Sequence, residues 1–241
     1  NFLRDILTFK GSTVHAPQVS FYRVVGGPDE LASTMSQVFL GVRIQCAQCH
    51  HHPFDRWSQT DYYGMVAYFQ QVNRKGTPRG EVMLAEGNPE TKHPRSGARI
   101  YAHPLGTKMP EKSPTGDWRE ELAEWMTSPD NQWFARNVTN RLWAHFMGRG
   151  LVVPVDDFRA TNPPSNPELL DALAQRFIED NYDVKELIRT ITASATFQRS
   201  SRPNATNKED EQNYSRALLK RVDAEVLLDA VNQVTGIRDK F

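Results

Sequence analysis

The only two cysteines of this 241-residue chain stand in one pentapeptide, Cys46-Ala47-Gln48-Cys49-His50. A structural disulfide framework spreads its cysteines to close long loops, and this pair would close almost none. The pair therefore points to chemistry. C-x-x-C-H is the attachment pattern of c-type haem. On a helical turn, positions three and four apart share a face. Cys46 and Cys49 can each form a thioether to one haem vinyl group, and His50 then projects under the iron as its proximal ligand. Other chemistries use the same residues. His51 and His52 follow at once, so Cys46, Cys49 and His52 also read as C-x2-C-x2-H, which holds zinc once a fourth ligand arrives from elsewhere. A C-x-x-C pair also lowers thiol pKa for thiol–disulfide exchange, but the βαβ context of thioredoxin-like proteins is absent from the pattern. Two incidental buried cysteines are the plain structural alternative.

A haem that relays electrons usually takes two protein ligands, methionine raising the potential relative to histidine. His51 and His52 lie too near His50 to reach the opposite haem face. The irregular stretch downstream offers His93, in KHPRSG, as the first candidate for the distal iron ligand. Met109, in GTKMP, is the alternative distal ligand, and His103 is a third. An open sixth position would favour catalysis over relay. His51 and His52 could contact a haem propionate or a partner. The simpler reading has His52, ahead of Pro53, bonding a backbone carbonyl and fixing the turn, since most side-chain hydrogen bonds go to backbone or water.

Asp156 and Asp157 form a tight acidic pair in a proline-rich loop. Paired carboxylates can do general acid–base work. Pairing with Arg136, Arg141, Arg149 or Arg159 is the simpler reading, because buried carboxylates are generally paired. The tryptophans at 118, 125 and 143 fall on helical faces and read as core. Lys208 to Glu211 reads as solvated linker.

The elements that must position these residues are mostly helical. Pro28, Asp29 and Glu30 mark a helix start. Leu31, Met35, Val38, Phe39 and Val42 fall on one face of a helix running toward the cysteines. Thr60 and Asp61 cap a helix with Tyr62, Met65, Val66 and Phe69 on its apolar face. Residues 73–116 are dense in glycine and proline, and Glu81–Leu84 and Ala98–Tyr101 suggest a small hairpin. Helical periodicity resumes with Trp118, Leu122, Trp125 and Met126, then with Phe134, Val138, Leu142 and Phe146, ended by Gly148. Asn166-Pro167 opens a helix bearing Leu169, Leu170, Leu173 and Phe177. Asp183 with Glu186 resembles a capping box before Val184, Leu187, Ile188 and Ile191. A polar stretch, 199–212, precedes a last helix with Leu218, Leu219, Val222, Val226, Leu227 and Val231. The expected class is mainly α: a helical c-type-haem-bearing domain with a small irregular or β insert, then a helical domain.

Lysine plus arginine number 29, and so do aspartate plus glutamate. This balance gives no basic footprint for nucleic acid. No apolar run approaches the ~20 residues of a membrane helix. The start at Asn1 carries no signal-peptide pattern, and the chain reads as a processed segment or fragment.

The run FLGVRIQCAQCHHHPFDRWSQTDYYGMVAYF resembles PSCyt2 (DUF1549), the cytochrome-like domain of large planctomycete and verrucomicrobial proteins. The run from Asn131 to Ser201, beginning NQWFARNVTNRLWAHF, resembles the partner domain PSD1 (DUF1553). The resemblance divides the chain into residues 1–72, the later part of PSCyt2, residues 73–116, the insert, and residues 117–241, the first part of PSD1. It implies export to the periplasm, haem c on Cys46 and Cys49 with His50 on the iron, and a redox partner protein or sibling haem domain upstream. His93 lies in a stretch that resembles the family pattern. Both domains bear names that assign no activity. The expected role is single-haem periplasmic electron transfer, an electron-transfer module rather than a stand-alone enzyme. A haem-dependent oxidoreductase acting on an organic substrate, with a sugar derivative as the loosely associated class, is the first alternative. A zinc-stapled non-haem binding module is the second.

Overall fold

Helix starts and stops follow the local chemistry of the sequence closely. The computed structural model describes residues 2–14, 16, 18–112 and 115–237, and they are mainly α. In the first half, α1 (Phe2–Leu7) buries Leu3, Ile6 and Leu7, and α2 (Val19–Val24) follows the two-residue strand β1 (Gly11–Ser12). Pro28 opens α3 (Pro28–Met35) at its first turn, with Asp29 and Glu30 at the positive end of the helix dipole. The helix does not run on to the cysteines. It loosens into a π turn (Ser36–Leu40) that Gly41 closes in the left-handed conformation, φ 70°. A separate 3-10 turn (Ile44–Gln48) then carries Cys46 and ends at Cys49.

Helix α4 (Gln59–Phe69) is the centre of the first half. Its cap is Ser58 rather than Thr60: the Ser58 hydroxyl accepts the Asp61 amide, and the Asp61 carboxylate accepts the Ser58 amide. Tyr62, Met65, Val66 and Phe69 are buried as the periodicity predicts, and Gly64, Ala67 and Tyr68 are buried with them. Covered all round, α4 is a core helix rather than a surface one.

The insert holds five short strands together with β1. Strands β2 (Val72–Thr77) and β3 (Gly80–Ala85) form a hairpin with Val72 opposite Ala85, and β1 adds to the far edge of β3. Strands β4 (Glu90–Lys92) and β5 (Arg99–Tyr101) form a second hairpin. Glu81–Leu84 and Ala98–Tyr101 therefore do not pair with each other as expected; each joins a nearer neighbour. The second hairpin docks on α4 through His103. Its ring lies where a Cβ on Gly64 would stand, 2.3 Å from the nearest ring atom, so only glycine lets the two elements close.

In the second half, α5 (Arg119–Met126) packs Leu122, Ala123 and Met126 into the first core. Helix α6 (Gln132–Met147) is capped by the Asn131 side chain and ended by Gly148 at φ 82°. Helix α7 (Pro167–Glu179) is capped by Asn166, and α8 (Val184–Ala193) by Asp183. The partner expected of a full capping box is missing, since Glu186 pairs with Arg189 instead. A second apolar core gathers Ala135, Trp143, Leu170, Phe177, Leu187 and Ile191. The last helix, α9 (Ala224–Thr235), starts later than the periodicity suggests and buries none of its residues. Leu218 precedes it along the end of α6, within van der Waals reach of Gly148. No helix among the described residues is long and apolar enough to cross a membrane.

Candidate functional site

The cysteine turn stands proud of the surface, held from below by α4. Cys46, Cys49, His50 and His51 are exposed, while Ala47 between the cysteines is fully buried. Cys46 lies within the 3-10 turn and Cys49 caps it, three residues on, the spacing at which side chains of such a turn come into line. The turn is fixed through one carbonyl. Gln48 O accepts from Gln59 Nε2 at 2.9 Å and from the Tyr63 hydroxyl at 3.3 Å. Gln59 and Tyr63 are one helical turn apart on α4, so a single helix face grips the motif. Burial, then Asp29 and Cys49, push the Tyr63 hydroxyl above its ordinary pKa, which keeps it a donor at neutral pH.

His50 has one ring nitrogen engaged. Nδ1 lies 2.6 Å from the carbonyl oxygen of His51. A carbonyl only accepts, so Nδ1 carries a proton, and in the neutral ring Nε2 is the nitrogen with the lone pair. That is the tautomer a metal-ligating imidazole needs, with its other N–H on a backbone carbonyl. By residue type and exposure the donor set fits a c-type haem: two exposed thiols three residues apart and an adjacent imidazole.

His52 points the other way. It is buried, its amide donates to Trp57 O at 2.8 Å, and its Nδ1 accepts the Phe54 amide at 3.2 Å. It fixes the turn as expected, but by accepting an amide rather than by bonding a carbonyl. Among the described residues no group of three or more His, Cys, Asp or Glu side chains could hold a metal ion.

His93 begins the loop of the second hairpin, and this loop lies beside the motif. Pro94 and Arg95 line a 410 Å³ surface pocket together with Cys49, Gln59 and Tyr63, and the His93 and Tyr63 rings are 6.4 Å apart between centroids. His93 Nδ1 accepts the amides of Arg95 and Ser96, at 3.2 and 3.3 Å. Met109 is half-buried beyond a turn whose Gly106 amide bonds Asp61. His103 is buried against Gly64 with Nδ1 on Tyr101 O at 2.7 Å, a packing role.

The acidic pair is fully engaged in ion pairs. Asp156 accepts from Gln37 Nε2 at 2.8 Å and pairs with Arg43. Burial pushes the Asp156 carboxyl up, but the bonds from Gln37 and Arg43 hold it below the usual range. Asp157, 2% exposed, pairs with Arg159 at 2.7 Å. Arg159 was an expected partner and Arg43 was not; Arg136 turns to Asp171 instead. These groups join the two halves. Asn137 donates to Val38 O at 2.7 Å, Arg141 to Gln37 O at 3.3 Å, and the Phe158 amide to Gly41 O at 2.9 Å.

A second buried charge was not foreseen. Arg119, with no exposed surface, makes a bidentate pair with Asp117 at 2.9 Å on each side and reaches the Tyr22 hydroxyl and Phe9 O at 3.4 Å. Lys10 approaches the same carboxylate at 2.9 Å. Its sequence, Asp117-Trp118-Arg119, gives no sign of that burial.

Comparison with known families finds two matches. Residues 118–240 match PSD1, a protein of unknown function (DUF1553). Residues 11–74 match PSCyt2, likewise a protein of unknown function (DUF1549). No curated protein and no solved structure matches the chain. The chain belongs to the PSD1 family, with a PSCyt2 segment ahead of the PSD1 region.

Proposed function

We propose that the chain is an exported c-type cytochrome-like protein with one covalent haem, held by Cys46 and Cys49 and ligated by His50, that serves periplasmic electron transfer. The observation that carries this reading is the pairing of two exposed thiols three residues apart on one turn with an adjacent His50 ring whose Nδ1 is tied to a carbonyl. Such a haem would supply a one-electron iron couple. The protein's own part is to hold the turn through Gln59 and Tyr63 and to leave the motif open to a redox partner or sibling haem domain.

The sixth ligand separates two readings. His93 is the nearer candidate, because its loop borders Cys49. Its ligation requires a change of state, since Nδ1 already accepts two amides and the proton of the neutral ring then sits on Nε2. This favours, as a second reading, an iron with an open position acting on an organic substrate.

The test is a pyridine haemochrome spectrum with metal analysis on protein made beside a cytochrome c maturation system. Thioether-bound haem at one per chain is the expected result. Stoichiometric zinc, or thiols that stay free, would overturn the proposal. Cyanide and CO then divide the two readings: a spectrum unmoved by either indicates a capped relay haem, and rapid binding indicates an open site.

A further inference from the structure

The motif is gripped from a second direction, by the loop 154–162 of the PSD1 half. Asp156 bonds Gln37 at 2.8 Å and pairs with Arg43. Asp157 pairs with Arg159 and faces Arg43 at 3.8 Å. The Phe158 amide bonds Gly41 O at 2.9 Å, and the Arg159 guanidinium lies 5.9 Å from the Phe54 ring centroid. These anchors fall on both flanks of the motif. Gly41 and Arg43 come just before it, and Phe54 comes four residues after His50. Arg43 begins the 3-10 turn, one such turn ahead of Cys46, as Cys46 is one turn ahead of Cys49.

The clamp is also a concentration of charge. Asp156 and Asp157 oppose Arg43 and Arg159, with Arg141 close by on Gln37 O. Asp157 is buried and Asp156 is one-fifth exposed, so water screens them poorly. Changing one member shifts the local balance by a full charge, and the sign depends on which member is changed.

We infer that this loop is a positioning device for the attachment turn: the carboxylates of Asp156 and Asp157, through Arg43, fix the turn and set the charge at the iron. The inference rests on the haem reading above. It assigns the PSD1 half a task in the redox chemistry of the PSCyt2 half. Asp156 and Asp157 are positioning residues that act through Arg43.

The experiment uses the full chain matured with haem and measures midpoint potential by spectroelectrochemistry. Asp156→Asn and Asp157→Asn each leave positive charge uncompensated, which favours ferrous iron, so both raise the potential. Arg43→Gln leaves negative charge uncompensated and lowers it, and Arg43→Lys returns it toward the parent value. At a fixed applied potential the ratio of reduced to oxidised haem moves several-fold, in opposite directions for the two kinds of variant. A loop that served stability alone would weaken folding in every variant without this change of sign. If Asp157→Asn does not fold, the more exposed Asp156 carries the test. Haem-loaded variants that all share the parent potential would overturn this inference and leave the haem reading intact. A parent chain without covalent haem would overturn both.

Discussion

Asp117→Asn should cost the protein several kcal/mol at neutral pH and almost nothing in strong acid. The pair it breaks is isolated from water: Arg119 is fully buried and the Asp117 side chain is 10% exposed. Burial alone would push the Asp117 carboxyl up, but hydrogen bonds from Arg119 and Lys10 hold it down to about 2, against an ordinary 3.8. At ~1.4 kcal/mol per pH unit, that drop corresponds to about 2.5 kcal/mol of stability. Leaving Arg119 charged and buried, with a neutral amide oxygen in place of the carboxylate and only Tyr22 and Phe9 O beside it, places the loss toward the ~3–5 kcal/mol typical of a broken buried pair. The sign follows from the depressed pKa. The stabilisation is complete above pH 3.8 and is lost as the pH falls toward 2. Urea unfolding of parent and variant between about pH 7 and pH 2.5 measures the gap. A difference of about 3 kcal/mol at pH 7 that narrows steadily below pH 4 is the expected result. A gap under about 1 kcal/mol at pH 7, or one that does not change with pH, would refute the assignment of Asp117 as the counter-charge that makes Arg119 tolerable.

Other variants probe the site. Gly41→Ala places a methyl 2.5 Å from the Phe158 ring and 2.9 Å from Asn137 Oδ1 at a φ of 70°. The left-handed backbone alone costs roughly 1–2 kcal/mol, so a loss above about 2 kcal/mol is expected in urea melts. Gln59→Leu removes the better of the two bonds to Gln48 O. It should cost about 1 kcal/mol and lower haem occupancy per chain, read from the haemochrome. His50→Ala should abolish the parent absorption spectrum, whereas His52→Ala should keep the spectrum while lowering the thermal midpoint. A His50→Ala protein with the parent spectrum would contradict the proximal role.

Local signals carried much of the second half into view. Asn166 and Pro167 mark the start of α7, and Gly148 marks the end of α6, because capping is decided by a residue and its near neighbours. What depends on distant partners did not show. Arg43 and Asp156 lie 113 positions apart, so the arginines expected beside the acidic pair included Arg159 but not Arg43. Two strands of the insert, β3 and β5, were recognised, but β2 and β4 were not, and the pairing follows the fold rather than the pattern. At six residues each, α1 and α2 are too short to show an apolar period. Lys208–Glu211 read as plain solvated charge, yet Asp210 organises a turn: it accepts the Ser215 hydroxyl and the amides of Asn213, Gln212 and Ser215, and those bonds hold its carboxyl far below the ordinary range. At the motif, residue identity suggested the chemistry that we propose. The tautomer of His50 and the orientation of His52 needed the folded chain.

The π turn at Ser36–Leu40 makes the spacing between α3 and the cysteines unforgiving. A π turn accommodates one residue more than an α-helical turn. Deleting any one of these five residues would let the segment wind back into regular helix. Everything downstream would then be drawn in by about 1.5 Å and swung by about 100°. Gly41 would miss the Phe158 amide, Arg43 would face away from Asp156, and both thiols would emerge on the wrong side of the molecule. Homologues should therefore vary freely in the exposed side chain at 38, and hardly at all in the number of residues between Pro28 and Cys46.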